Sequence, residues 1–190
     1  MNFTRTKIPD VVICEPKVFG DHRGYFMESF KQEALNNFLD FNIKFCQDNE
    51  SSSSKGVLRG LHYQINGFEQ TKLVRVVQGT VIDVAVDIRK GSPTFGAHVA
   101  VELSAENKKQ LLVPKGFAHG FIVLSDTAIF SYKVDAPYSF ENEVGIAYND
   151  PALAIDWGME DSELILSEKD LQNPTLAEAT LCDYKTNYYE

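Results

Sequence analysis

Polar and apolar residues alternate along Val57-Leu58-Arg59-Gly60-Leu61-His62-Tyr63-Gln64 with the period of two expected of a strand. Strict alternation puts Leu58, Gly60, His62 and Gln64 on one face and Val57, Arg59, Leu61 and Tyr63 on the other. The same reading makes strands of residues 11–15 and 24–30, separated by a turn-rich stretch containing Gly20, Asp21 and Gly24. Lys31 to Leu39 has helical spacing, with Leu35, Phe38 and Leu39 on one face. Ile43 to Cys46 reads as a short apolar strand, and Ser51 to Ser54 with Lys55-Gly56 as a loop. Beyond residue 57 strand follows strand, over 72–77, 80–88, 98–103, 109–113, 117–124 and 128–134. Gln78-Gly79 is a hairpin-turn signal between the first two of these, while Gly91-Ser92-Pro93 and Pro114-Lys115-Gly116 punctuate the later ones. Short, evenly spaced strands with few helical patterns predict an all-β sandwich or barrel of the jelly-roll kind. After Pro151 the pattern breaks into short helical or irregular pieces, Asp161 to Leu166 and Ser167 to Leu171, where Ser167 and Asp170 stand at capping distance.

Composition narrows this picture. The 190 residues, 44% of them apolar, suit one domain over 1–190 with an N-terminal arm (about 1–15) and an irregular or helical C-terminal segment (about 151–190). The mostly polar residues 1–10 form an arm of a kind that can pair with a neighbour's sheet and cover its edge. A net charge of -9 argues against a broad basic surface for nucleic acid, although a few local arginines can still grip a small phosphorylated ligand. Cys14, Cys46 and Cys182 are odd in number and widely spaced, which gives neither a disulfide framework nor a zinc pattern and points to a reducing compartment. The first ten residues contain no apolar signal core, and no run of about 18 apolar residues exists to cross a membrane. A cytoplasmic location is expected.

Candidate chemistry comes from polar residues on strands that otherwise look buried, because an unpaired charge in a core is strongly unfavourable. These are His62, Lys72, Asp83, Asp87, His119 and Tyr132. Asp83 and Asp87 interrupt Val81 to Ile88 at even spacing and share a face with Val81 and Ala85. Singly, each is as readily a structural hydrogen-bonder; together they describe a cavity holding a base, a cation, carboxylates and a phenol. A cupin metal site wants two histidines alternating on a strand. In His62-Tyr63-Gln64 a glutamine takes the second place, and with His119 far off in sequence the set falls short of the three protein ligands usual for catalytic zinc. No nucleophile elbow and no phosphate-binding glycine loop occur. What remains is metal-free acid–base chemistry: a histidine oriented by a carboxylate as base, a lysine on a developing oxyanion, and a tyrosine returning a proton to the opposite face of a carbon.

Several segments together resemble the dTDP-4-dehydrorhamnose 3,5-epimerase family. They are Val57 to Gln64, Lys72 to Gly79, Asp83 to Arg89, Val113 to Phe121, Tyr132-Lys133-Val134 and Glu143-x-Gly145-Ile146, and the likeness runs from about Phe3 to Leu171. The resemblance implies a metal-free cupin jelly roll without a cofactor that forms a homodimer. It implies epimerisation of dTDP-4-dehydro-6-deoxy-D-glucose at carbons 3 and 5, giving dTDP-4-dehydro-L-rhamnose on the route to dTDP-L-rhamnose. Position by position, His62 resembles the general base, Asp170 its carboxylate partner, Tyr132 the general acid and Lys72 the residue near the keto oxygen. Arg23 and Arg59 match residues that hold the nucleotide diphosphate. Glu28, Gln47, Asp48, Asn49, His119, Glu143 and Lys169 match further substrate contacts, and Phe19 and Tyr138 are aromatics suited to stack on thymine. Two other readings stay open: an epimerase acting at one carbon of a related dTDP-4-keto-6-deoxy sugar, and a cupin that binds a sugar nucleotide without turning it over.

Overall fold

The computed structural model of the chain describes residues 1–39 and 41–189. In chain order the strands are β1 (Asn2–Arg5), β2 (Val12–Glu15), β3 (Val18–Asp21), β4 (Gly24–Met27), β5 (Gln47–Ser54), β6 (Leu58–Gln64), β7 (Lys72–Gln78), β8 (Thr80–Asp87), β9 (Arg89–Lys90), β10 (His98–Ser104), β11 (Gln110–Val113), β12 (Phe117–Val123), β13 (Thr127–Val134), β14 (Glu143–Gly145) and β15 (Cys182–Asp183). Helix α1 (Gln32–Leu39) lies between β4 and β5, and the one-turn α2 (Glu168–Leu171) follows β14. Two sheets dominate: a six-stranded one in the order β1-β2-β11-β7-β13-β5 and a five-stranded one in the order β10-β8-β12-β6-β14. This is the all-β jelly-roll architecture expected.

Alternation decides which side chains meet. Val74, Val76, Val81, Ala85, Phe121 and Phe130 fill the space between the two sheets. The opposite side of β8, with Val84 and Val86, and Ile88 just past its end join Leu58, Leu61 and Ile122 under Leu153, Trp157 and Leu176 of the C-terminal segment. Leu35 and Leu39 of α1 cover Val12, Leu73 and Leu112 on the outside of the other sheet. Both sheets are therefore covered on their outer faces over part of their area, and this explains why β12 is buried along its whole length.

Several expectations change. Gln78-Gly79 is not a hairpin turn: β7 pairs with β11 and β13, while β8 pairs with β10 and β12, so the chain crosses between sheets here. Gly79 has φ +80°, and a Cβ there would lie 2.1 Å from the Thr127 carbonyl oxygen, so the crossing runs tight against β13. The serine run 51–54 is not a loop but the second half of β5, in register with β13 from Ser51↔Phe130 to Ser54↔Thr127. Pairing with a neighbour strand outweighs serine's weak strand preference. Residues 43–46 form no strand, and the strand expected over 24–30 ends at Met27. Residues 2–5 pair with β2 of their own chain and form one edge of the six-stranded sheet.

The face assignment in β6 also fails, for a reason that matters to the site. His62 pairs with His119 and Arg59 with Phe121, so three steps along β6 span two along β12. This bulge reverses the alternation midway. Leu58, Leu61 and Tyr63 face the C-terminal cover, whereas Arg59 and His62 both look between the sheets.

Candidate active site

Between the sheets the core opens into a cavity of about 260 Å³ lined by Arg59, His62, Lys72, His119, Tyr132 and Glu143, with Ser51 at one side and Phe121 and Phe130 as an aromatic wall. A second hollow of about 250 Å³ shares Arg59, His62 and Glu143 with it and adds Ser167, Lys169 and Asp170. Six strands of both sheets and α2 thus supply the polar groups. Of the buried polar residues singled out in the sequence, His62, Lys72, His119 and Tyr132 line this cavity, and Asp83 stands behind His119. Asp87 does not belong here. It accepts from Arg89, Ser92 and Thr94, and Arg89 also reaches Asp10, forming a separate buried knot.

His62 Nε2 lies 2.5 Å from Asp170 Oδ1. The carboxylate is fixed by its own turn: Ser167 caps α2, accepting from the Asp170 N–H at 3.2 Å and donating its hydroxyl to Asp170 Oδ2 at 2.8 Å. Burial works to raise the Asp170 pKa, yet the His62 and Ser167 hydrogen bonds, with the charges of His62 and Lys169, hold it below the usual carboxylate range. A second imidazole–carboxylate pair sits deeper, with His119 Nε2 at 2.9 and 3.1 Å from the Asp83 oxygens. Burial lowers the His119 pKa, Asp83 opposes that, and the charges of Lys72 and His62 push it further down. Burial also brings Lys72 down to about 8, against the pull of Glu143 and Asp83. Tyr132 is pushed upward by burial and by Glu143, with Arg59 opposing, so its phenol stays protonated at neutral pH.

The rim carries further expected residues. Lys169 pairs with Glu143, which also accepts from the Tyr138 hydroxyl at 3.1 Å. Burial tends to raise Glu143, but these partners and His62 hold its pKa low. Arg59 donates from Nε to Ser53 Oγ at 3.2 Å and makes no ion pair among the described residues. Gln47 and Asn49 share the half-buried side of β5 with Ser51 and bond each other at 2.7 Å. Asp48, between them, is exposed and accepts from Lys133 at 2.8 Å, and none of Gln47, Asp48 and Asn49 lines the cavity. Phe19 and Arg23 lie on the β3–β4 hairpin, where Phe19 is exposed and Arg23 forks onto Asp21; Glu28 follows, also exposed. None of these three lines the cavity. Ser51 was hidden in the sequence because the serine run reads as a loop. Gln64, in the place of a second cupin histidine, accepts from the Ser139 N–H at 3.1 Å. Among the described residues no three His, Cys, Asp or Glu side chains stand together as a metal ligand set.

Comparison with known proteins places the chain in a family. The family model for dTDP-4-dehydrorhamnose 3,5-epimerase covers residues 5–178. The dTDP-4-dehydrorhamnose 3,5-epimerase of Escherichia coli (strain K12) is 56% identical over 178 residues, 94% of this chain and 96% of its own. A crystal structure of the dTDP-6-deoxy-D-glucose-3,5-epimerase of Legionella pneumophila Philadelphia 1, in complex with dTDP-4-keto-L-rhamnose, superposes with TM-score 0.93 at 50% identity, covering 97% of this chain and 99% of that one. A 3'-monoepimerase from Streptomyces bikiniensis in complex with dTDP-quinovose gives TM-score 0.89 at 34% identity, covering 94% of this chain and 92% of that one.

Proposed function

The chain belongs to the dTDP-4-dehydrorhamnose 3,5-epimerase family, and from that premise we propose how its cavity residues divide the work. The protein epimerises dTDP-4-dehydro-6-deoxy-D-glucose at carbons 3 and 5 to dTDP-4-dehydro-L-rhamnose. Both carbons flank the ketone at carbon 4, so each carries a proton whose removal gives an enolate. Asp170 occupies His62 Nε2, which leaves the lone pair on Nδ1 to take that proton and lets the carboxylate stabilise the imidazolium. Lys72 offers its ammonium to the oxygen that becomes the enolate. Tyr132, neutral and on the facing sheet, returns a proton from the other side, and each carbon is inverted in turn. Arg59, free of a carboxylate partner among the described residues, takes the diphosphate. Gln47, Asn49, His119, Glu143 and Lys169 hold the rest of the substrate, and Tyr138 offers its ring to thymine.

Phe19, Arg23 and Glu28 fit this reading as residues lent to the cavity of a second copy. Their hairpin presents Val18, Phe19, Tyr25 and Phe26, 43–66% exposed, which is an apolar surface suited to a homodimer contact. A cytoplasmic location accords with three free cysteines, and no helix among the described residues is long and apolar enough to cross a membrane.

The observation that carries the assignment is the convergence of the His62–Asp170 pair, Lys72 and Tyr132 on one cavity. Turnover in deuterated water tests it. The wild-type enzyme puts label at both carbons. His62→Ala lowers exchange at both by about 10²–10⁴-fold while dTDP still binds. Tyr132→Phe retains proton removal better than completed inversion; equal loss of the two steps contradicts the two-sided assignment.

A further inference from the structure

Lys72 is the first residue of β7, and its Cα partners are Val113 at the end of β11 and Val134 at the end of β13. Three strand ends therefore meet at the cavity's lysine, and what clamps them comes from the far end of the chain. The Tyr189 hydroxyl lies 3.0 Å from the Thr71 hydroxyl and accepts from the Lys115 N–H at 3.1 Å. Thr71, fully buried, donates its N–H to Asp135 Oδ1 at 2.7 Å, and Lys115 Nζ lies 3.4 Å from Asp135 Oδ2. Thr71 immediately precedes Lys72, Asp135 immediately follows Val134, and Lys115 is two residues past Val113. The Tyr189 ring packs on Phe41, with centroids 4.3 Å apart. Upstream, the segment is held by parallel pairing of β15 with β9 and by the Tyr63 hydroxyl donating to the Thr180 carbonyl at 2.6 Å. Tyr189 lies beyond residue 178, where the family match ends.

We propose that Tyr189 is a positioning residue for the epimerisation, latching the ends of β7, β11 and β13 together so that the Lys72 ammonium is held in the cavity. The proposal rests on the role given to Lys72 above. A loosened latch lets the start of β7 swing and admits water beside the ammonium, moving it from the oxygen it must meet. A misplacement of about 1 Å can cost as much as about 10²-fold in rate. The groups facing Lys72 are Glu143 on β14, Asp83 on β8, His119 on β12, Tyr132 on β13, and Arg59 and His62 on β6, none of which the latch touches directly. Around Tyr189 the charged groups are Lys115, Asp135 and Arg89.

Competitive acetylation of the full-length enzyme across pH, read at Lys72 by peptide mass, follows the ammonium without reference to catalysis. In Tyr189→Phe, which keeps the packing on Phe41, the Lys72 titration moves up from its wild-type position toward that of an ordinary lysine. Its kcat falls about tenfold with KM little changed. Thr71→Val does the same, the double variant is no worse than either single one, and Thr71→Ser, which retains a hydroxyl, behaves as wild type. A Tyr189→Phe enzyme that melts lower but keeps the wild-type Lys72 titration and kcat overturns the latch. A shifted titration with unchanged kcat leaves the contact to Lys72 standing but overturns Tyr189 as a positioning residue for the reaction, together with the role given to Lys72.

Discussion

Lys72 is a cation that its surroundings work to neutralise. Burial brings its pKa to about 8, and only Glu143 and Asp83 pull the other way. If the ammonium is the form that meets the enolate oxygen, the active fraction of free enzyme falls as pH rises through about 8. Then kcat/KM drops about tenfold per further pH unit. A bound diphosphate brings negative charge close by and favours the ammonium, so the matching limb in kcat lies at higher pH than the limb in kcat/KM. Tyr132, raised above its ordinary value, does not produce this limb. Rate profiles from neutral to alkaline pH therefore show a basic limb that vanishes in Lys72→Gln, whose rate at neutral pH is down about 10²–10³-fold. A limb unchanged in that variant assigns it to another group. At this scale the sequence was most informative: a lysine, two histidines and a tyrosine on apolar strands signal a cavity because each needs a partner there. Asp170 gave no such signal by itself. It lies on a single helical turn, and only the fold brings that turn to His62 across 108 residues of chain.

At the scale of elements, the bulge in β6 is what puts Arg59 and His62 on one side. Gly60 has φ +131°, and a Cβ there would lie 2.5 Å from Gly120 Cα and 2.9 Å from the His119 carbonyl oxygen. Both neighbours are backbone of β12 and have no side-chain freedom to give. Gly60→Ala therefore forces β6 and β12 apart, with a cost of about 1–3 kcal/mol or more. Because the displaced strands carry Arg59, His62 and His119, kcat falls and KM rises together, whereas Lys72→Gln acts mainly on kcat. A Gly60→Ala enzyme with wild-type stability and kinetics contradicts this account of the bulge. Strict alternation could not locate it: an inserted residue keeps the local pattern of Val57 to Gln64 intact and is defined only by register with β12. The same limit explains Gln78-Gly79. A glycine turn between two apolar strands looks alike whether the strands pair with each other or part into opposite sheets, and that choice belongs to partners far off in sequence. The serine strand β5 was invisible for the complementary reason, since its strand character comes from β13 rather than from its own residues. By contrast, α1, β7, β8 and β10 to β13 were legible because their apolar spacing is itself the cause of their burial.

For the whole molecule, the unresolved tension is between the substrate-holding residues expected on the β3–β4 hairpin and the hairpin's position outside the cavity. Phe19 and Arg23 are exposed, and among the described residues Arg23 pairs with Asp21 alone. A two-fold dimer removes the tension if each hairpin serves the other copy's barrel, because a contact made by one copy is then made by both. Mixed dimers decide the matter. In Arg23→Ala homodimers both sites lack the arginine, and in His62→Ala homodimers both lack the base, so each preparation is weak or inactive. In a mixed dimer formed by co-expression, exchanged hairpins leave one barrel with both lesions and the other with neither. Random pairing then restores about a quarter of the wild-type sites. If Arg23 served its own barrel, every site in the mixture would carry one lesion and no activity would return. A monomeric enzyme in solution with full activity would equally exclude exchange, since a single copy would then be doing all the work with its hairpin in water. Recovery near a quarter requires both the dimer and the crossing of its hairpins, and gives the exposed aromatic surface its physical reason.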